Sequence, residues 1–258
     1  MSEAHQARVQ AQFGASAQEY VTSAGHAGGV DLDRLVAWGH KRAALRVLDV
    51  ATGGGHTALA FAGFTPTLVS VDLTLPMLEA ARGFLRSKGA ERVRFLASDV
   101  VALPFRDASF GVVTCRLAAH HFPALLPALK EVARVLHPGG SFLVQDILGH
   151  DDPELAAFIL EVEKRRDPSH VRAFTRREWE AFLKAAGMTV IDEEILAKSR
   201  PWDDWTERQR MTAEAKADLE RFILTAPSRC REAFEFTVDN GGIQTFSDRL
   251  ILLRADRD

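Results

Sequence analysis

Cysteine is scarce: the 258-residue chain holds two, Cys115 and Cys230. That count leaves no room for a disulfide framework or a paired-cysteine metal motif, and Cys115, closing an apolar run, is expected in the core. An excess of positive charge is also missing, with 32 Lys and Arg against 35 Asp and Glu and a net charge of −3. Without a basic face there is no general attraction for a polyanion, so nucleic acid is not an expected partner. No apolar run approaches a membrane-spanning length. The opening MSEAHQARVQAQF carries charge and glutamine where a signal peptide needs an apolar stretch, so the expectation is a cytoplasmic protein with no membrane insertion. The nine histidines show no ligand spacing with acids or cysteines, and no metal is expected. With 47% hydrophobic and 26% charged residues the composition is that of a globular protein.

Short runs rich in Val, Leu and Phe recur at 46–51, 67–72, 93–97, 110–115 and 141–147. Segments of helical period lie between them at 57–63, 76–88 and 125–136. Such alternation predicts a parallel sheet with helices on both faces. Pro76 and Gly89 bracket one helix as start and stop, and HPGGSF from His137 predicts an αβ loop. Further on, helices are expected at 152–165 and at 175–186, where Thr175 and Glu178 have capping-box spacing and Gly187 ends the turn. RPWDDWTERQR, from Arg200, reads as a polar, irregular lid or edge insertion. CREAFEFTV and IQTFSDRLILLRA flank DNGG, the signal of an antiparallel hairpin. We expect one domain: a cover at 1–45, a ligand-binding core at 46–147, and helices, lid and hairpin at 148–258.

The most informative stretch is VLDVATGGGHTALAFA, from Val47. An apolar strand, a glycine turn and a helix start together place bare backbone at the carboxyl end of a strand, where open parallel sheets bind ligands. Main-chain amides at the helix start supply donors. Gly53, Gly55 and Ala58 fit G-x-G-x-x-A, so a dinucleotide enzyme using nicotinamide is one reading, with Asp72 on the ribose. Two acids favour another. Asp49 lies at the end of the first strand and Asp99 at the end of the third, with no basic residue in the glycine turn. Acids at three successive strand ends suit a cationic adenosyl ligand better than a pyrophosphate. Taken singly, Asp49 reads as turn support and Asp99 as a cap.

VLDVATGGGHTALAF, VDLTLPMLEAA, SDVVALPF, SFGVVTCRLAAHHF and ARVLHPGGSFLVQD resemble successive motifs of class I S-adenosylmethionine-dependent methyltransferases. The resemblance is strongest to the type 11 branch related to quinone-biosynthesis C-methyltransferases and spans 46–147. It implies a Rossmann-like, doubly wound, seven-stranded, mostly parallel α/β sheet with S-adenosyl-L-methionine as cofactor. By that resemblance Asp49, Thr52, Gly53 and Gly55 line the methionine end, and Asp72 bonds the ribose hydroxyls. Leu73 and Met77 pack near the adenine, Asp99 takes its amino group, Val100 supplies an amide and Arg116 closes the site. The chain departs from the family at Ala51, where glycine is usual; alanine fits there if the backbone stays in the β region.

A sulfonium methyl is already activated, so the chain's task is to hold a small, hydrophobic or aromatic acceptor in line and exclude water. A base is needed only if the acceptor must lose a proton. His120 and His121, just past the fourth strand, are the candidates, His121 ahead; loop capping and solvation are their bland alternatives. Asp146 and His170 are weaker candidates, and Arg166 and Arg172 either hold an anionic acceptor or form ion pairs. Phe13 and Tyr20 are expected in the cover. CRLAAHHF lacks the Asn/Asp-Pro-Pro-aromatic run of amino-base methylases. A nicotinamide-dependent oxidoreductase and a non-catalytic cofactor-binding module remain the competing classes.

Overall fold

The computed structural model describes residues 3–40 and 46–258; residues 1–2 and 41–45 of the expected cover lie outside them. Eight strands form one sheet: β1 (Val47–Val50), β2 (Leu68–Asp72), β3 (Arg94–Ala97), β4 (Phe110–Arg116), β5 (Leu136–Ile147), β6 (Met188–Pro201), β7 (Thr237–Asp239) and β8 (Gly242–Arg257). Their order is β3-β2-β1-β4-β5-β8-β6, with β7 paired to β8. β1 to β5 are mutually parallel, and β8 runs antiparallel to β5, β6 and β7. The order reverses between β1 and β4, which places a crevice at their carboxyl ends.

The helices are α1 (Glu3–Ala15), α2 (Ala17–Thr22), α3 (Ala24–Ala27), α4 (Val30–His40), α5 (His56–Ala62), α6 (Leu75–Ser87), α7 (Leu125–Val135), α8 (Pro153–Arg166), α9 (Arg176–Ala185), α10 (Trp202–Glu207), α11 (Ala213–Leu224) and α12 (Ser228–Ala233). The central strands β1, β2 and β4 are buried throughout because helices cover both faces. Alternate residues divide between the two cores, as the two-residue strand period requires. Leu48, Val113, Phe142 and Ile251 pack with Leu129 and Trp179; Val47, Val112, Leu143 and Leu250 pack with Leu35, Phe61 and Leu85. A third, aromatic cluster around Trp202, Trp205 and Phe246 joins α8, α10, α11 and α12.

Local signals from the sequence recur at α6, with Pro76 in its first turn and Gly89 at φ +77° beyond its end. Asp152 caps α8 through the amides of Glu154 and Leu155, and Thr175 and Glu178 form the capping box of α9. Four expectations change. HPGG is not a separating loop: Leu136 already pairs with Phe110, and the register then jumps to Ser141 opposite Val112, so 137–140 bulge from β5. β6 was not among the expected strands, because it is an edge strand, largely exposed, whose charged residues mask its alternation. The first arm of the hairpin begins as helix, α12 running to Ala233, and Cys230 and Phe234 at helical spacing both enter the aromatic cluster; only Thr237–Asp239 is strand, turning through Asn240 and Gly241 at positive φ. WDDW is no irregular lid. Both indoles are 2% exposed in α10, and Trp205 packs edge-on to Phe246.

Candidate functional site

The carboxyl ends of β1, β2, β3 and β4 open into one cavity of about 930 Å³ of non-atom space. The turn after β1 forms its floor. Gly53 lies at φ +52°, and a Cβ there would meet nothing within 4 Å, so bare backbone faces open space. Gly54 is demanded by packing instead, because a Cβ would stand 2.7 Å from the Tyr20 carbonyl oxygen. Gly55, at φ +87°, abuts α6, where a Cβ would fall 2.5 Å from Leu85 Cδ1. Ala51 does not stay in the β region as expected. It takes φ +52°, a left-handed conformation that strains a residue bearing Cβ.

Of the residues singled out by sequence, Thr52, Gly53, Asp72, Leu73, Met77, Val100, Arg116 and His121 line this cavity. The structure does not bring Asp49, Gly55, Asp99 or His120 to its wall. Asp49 sits beneath the turn, accepting hydrogen bonds from the hydroxyls of Thr52 and Thr114, both at 2.6 Å. Burial pushes its carboxyl up to about 6, with the two hydroxyls pulling the other way. Asp99 is covered by α1, accepting from Gln6 Nε2 at 2.7 Å and from the Val101 amide at 3.1 Å.

Asp72 accepts from the Gly53 and Thr74 amides, each at 2.9 Å, so one carboxylate ties the glycine turn to the start of α6. Burial raises its pKa against those bonds. Arg116 brings positive charge to the wall, but its Nη2 donates to Asp31 at 2.7 Å and its Nε to Gln145 at 2.7 Å. Burial of Asp31 is outweighed by the Arg116 charge, which holds that carboxyl below its ordinary value.

Behind the part of the wall that His121 supplies, three imidazoles cluster. His120 Nδ1 lies 2.5 Å from Asp146 Oδ1, and its amide donates to Asp146 Oδ2 at 3.0 Å. Burial opposes its charging, yet Asp146 prevails and raises its pKa. His121 behaves oppositely: burial, reinforced by its neighbour His120, pushes it down to about 4. Ser169 donates to Asp167 Oδ1 at 2.5 Å, so its oxygen accepts from His121 Nδ1 at 3.2 Å. That leaves His121 Nε2 without the proton in the neutral ring, 3.9 Å from Asp167 Oδ2. The His170 ring lies 5.0 Å from that of His120, tilted by 30°, and its pKa is driven down by burial and both neighbours. Arg166 and Arg172 do not line this cavity and are paired with Glu163 at 3.0 Å and Glu178 at 2.7 Å.

The cover supplies residues that sequence reasoning named as a group, Phe13 and Tyr20, whose rings meet edge to face at 5.5 Å. Burial raises the Tyr20 hydroxyl to about 12, keeping it neutral. Asp167, Ser169, His56 and Val9 were missed. The Asp-x-Ser of RDPSHVR is a turn signal that pointed at the first two; nothing local marks the others, since their place is set by how α1 and α2 cross the glycine turn.

Comparison with known proteins follows the geometry. A family model described as a methyltransferase domain matches residues 48–144. An uncharacterized methyltransferase, YcgJ of Bacillus subtilis, is 36% identical over 230 residues, 89% of this chain and 91% of that protein. The crystal structure of a putative methyltransferase from Bacillus halodurans superposes with TM-score 0.85 at 37% identity, covering 89% of this chain and 99% of that one. A demethylmenaquinone methyltransferase of Thermus thermophilus is 41% identical over 113 residues, 43% of this chain and 51% of that protein. The nicotinamide-dependent alternative finds no support among these relatives. With its Rossmann-like sheet and a relative of this identity along nearly its whole length, the chain belongs to the methyltransferase family that this domain defines.

Proposed function

We propose that the protein transfers a methyl group from S-adenosyl-L-methionine to a small, hydrophobic or aromatic acceptor. The observation that carries the reading is the charge and shape of the first cavity. An open Gly53 backbone and a buried Asp72 stand at its floor, apolar Met77 and Val100 at its side, and the single arginine in its wall is already matched by Asp31. Such a donor set fits a cationic adenosine derivative, whereas a pyrophosphate would meet carboxylate and no unmatched cation. When bound, the cofactor supplies an electrophilic methyl on a sulfonium.

Asp72 lines the cavity at the tip of β2 and is placed to accept from ribose hydroxyls. Leu73, Met77 and Val100 form an apolar wall for the purine. Gly53 and Thr52, in the turn after β1, line the same cavity and would hold the methionine end. Asp49 and Gly55 act from behind, fixing the turn, and Asp99 joins only if Gln6 yields. Phe13, Tyr20 and α1 keep water from the reacting end.

His121 is neutral at pH 7 and takes a phenolic or carbon-acid proton at Nε2; Asp167 then steadies the imidazolium. His120 and Asp146 hold the neighbouring loop. The small-molecule acceptor draws support from the quinone methyltransferase relative.

Isothermal titration decides the cofactor. S-adenosylhomocysteine should bind the purified chain and NADH should not; the reverse result refutes the reading. For a phenolic acceptor, His121→Gln should lower kcat by about a hundredfold with little change in cofactor affinity, and an unchanged kcat would remove His121 from proton transfer.

A further inference from the structure

A second cavity, of about 850 Å³ of non-atom space, lies beyond the carboxyl end of β5, between α8, the start of α12's aromatic cluster and the segment around Ala173. It shares no lining residue with the first. Its apolar surface comes from Ile147, Leu148, Ala156, Ile159, Leu160 and Phe234. The acids in its wall are already matched: Glu163 to Arg166 at 3.0 Å, Asp248 to Arg200 at 2.9 Å and Glu178 to Arg172 at 2.7 Å. A cationic guest would have to break one of these pairs, two of which are buried, while Arg249 stands at the exposed edge, so the apolar interior suits a neutral guest.

What separates the cavities is a layer of imidazole. His170 lines the second and His121 the first, with ring centroids 6.0 Å apart and His120 packed against both. His170 Nδ1 is buried, makes no hydrogen bond and lies 3.9 Å from Glu163 Oε2, so that ring is held less firmly than those of His120 and His121, which hydrogen-bond Asp146 and Ser169. The backbone beside it is anchored, the Val171 and Arg172 amides both donating to the His120 carbonyl.

We propose that the second cavity receives the apolar body of the acceptor, a neutral alkyl or aryl chain, while the acceptor's reacting end lies beside His121, the His170 ring turning aside to join the two spaces. The assignment rests on the proposed methyl transfer only in calling this guest the acceptor. Filling the cavity from its wall should therefore change selection among acceptors by chain length and leave the cofactor site untouched.

The test uses 4-alkylphenols from methyl to hexyl, titrated calorimetrically into the full chain with S-adenosylhomocysteine present and absent. In the wild-type protein affinity should rise about fourfold for each added methylene. Ala156→Phe and Ala173→Phe, which enter the cavity from opposite sides, should each flatten that series while retaining the affinity for 4-methylphenol. Unchanged S-adenosylhomocysteine affinity reports that each variant is folded. A series that stays steep in both folded variants, or is flat in the wild type, overturns the proposal. A steep series, flattened by the variants, in a protein that binds no S-adenosylhomocysteine would uphold the cavity and refute the methyl-donor reading.

Discussion

Asp72 serves two masters at the tip of β2: it accepts from the Gly53 and Thr74 amides and lines the cavity. Asp72→Ala should weaken S-adenosylhomocysteine binding about ten- to a hundredfold, the scale of hydrogen bonds to a charged group, as read by calorimetry; unchanged affinity would displace the ribose contact. Ala51 offers a second test. Its left-handed φ carries strain that glycine lacks, partly offset by glycine's greater freedom when unfolded. Ala51→Gly should raise the free energy of unfolding by about 0.5 kcal/mol, measured by urea titration. These residues were legible because the signals are local: an acid at a strand end and glycines in the next turn. Asp49, Gly55 and Asp99 were equally visible as residue types, yet they stand one layer back, since Thr114, Leu85 and Gln6 reach them from thirty or more residues away in sequence.

Among the elements, α1 differs in kind from the strands it covers. None of its residues is buried, and it is tied down by polar side chains: His5 to the His121 carbonyl, Gln6 to Asp99, Gln10 to the Leu73 carbonyl and Gln12 to Gln209. Solvated bonds of this sort contribute little each, so α1 should open independently of the core. Its amides should exchange hydrogen about a hundredfold faster than those of β1 and β4, and S-adenosylhomocysteine should narrow the gap; equal protection without ligand would contradict a separately opening cover. Helices with capping chemistry, α8 and α9, could be read directly from sequence because a cap is set within four residues. The edge strand β6 and the short helix α12 could not, since each owes its conformation to β8 and to the aromatic cluster, which lie far along the chain.

For the whole molecule, two buried groups tie stability to pH with opposite signs. His121 falls from 6.5 to about 4 on folding. Between those values the unfolded chain binds a proton that the folded one refuses, so stability is lost as pH falls through the window. Asp49 rises from 3.8 to about 6. There the folded chain keeps a proton the unfolded one has released, so that contribution, full below 3.8, is lost as pH rises through 6. The slopes oppose one another across their overlap. His121→Gln removes the first, and its unfolding free energy relative to wild type should climb as pH drops from 6.5 to 4, by at most about 1.4 kcal/mol per pH unit. A difference independent of pH would mean that His121 is not held neutral by the fold. By itself the sequence determined the succession of parallel strands and helices, the glycine turn with its acid at the next strand tip, and the family, because strand runs, turn residues and caps are written in neighbouring positions. Only the tertiary structure decided which acids face the cavity, that Arg116 is matched by Asp31, and that three histidines divide two cavities. Those outcomes depend on contacts between distant segments, and burial there sets the charge state that local sequence leaves open.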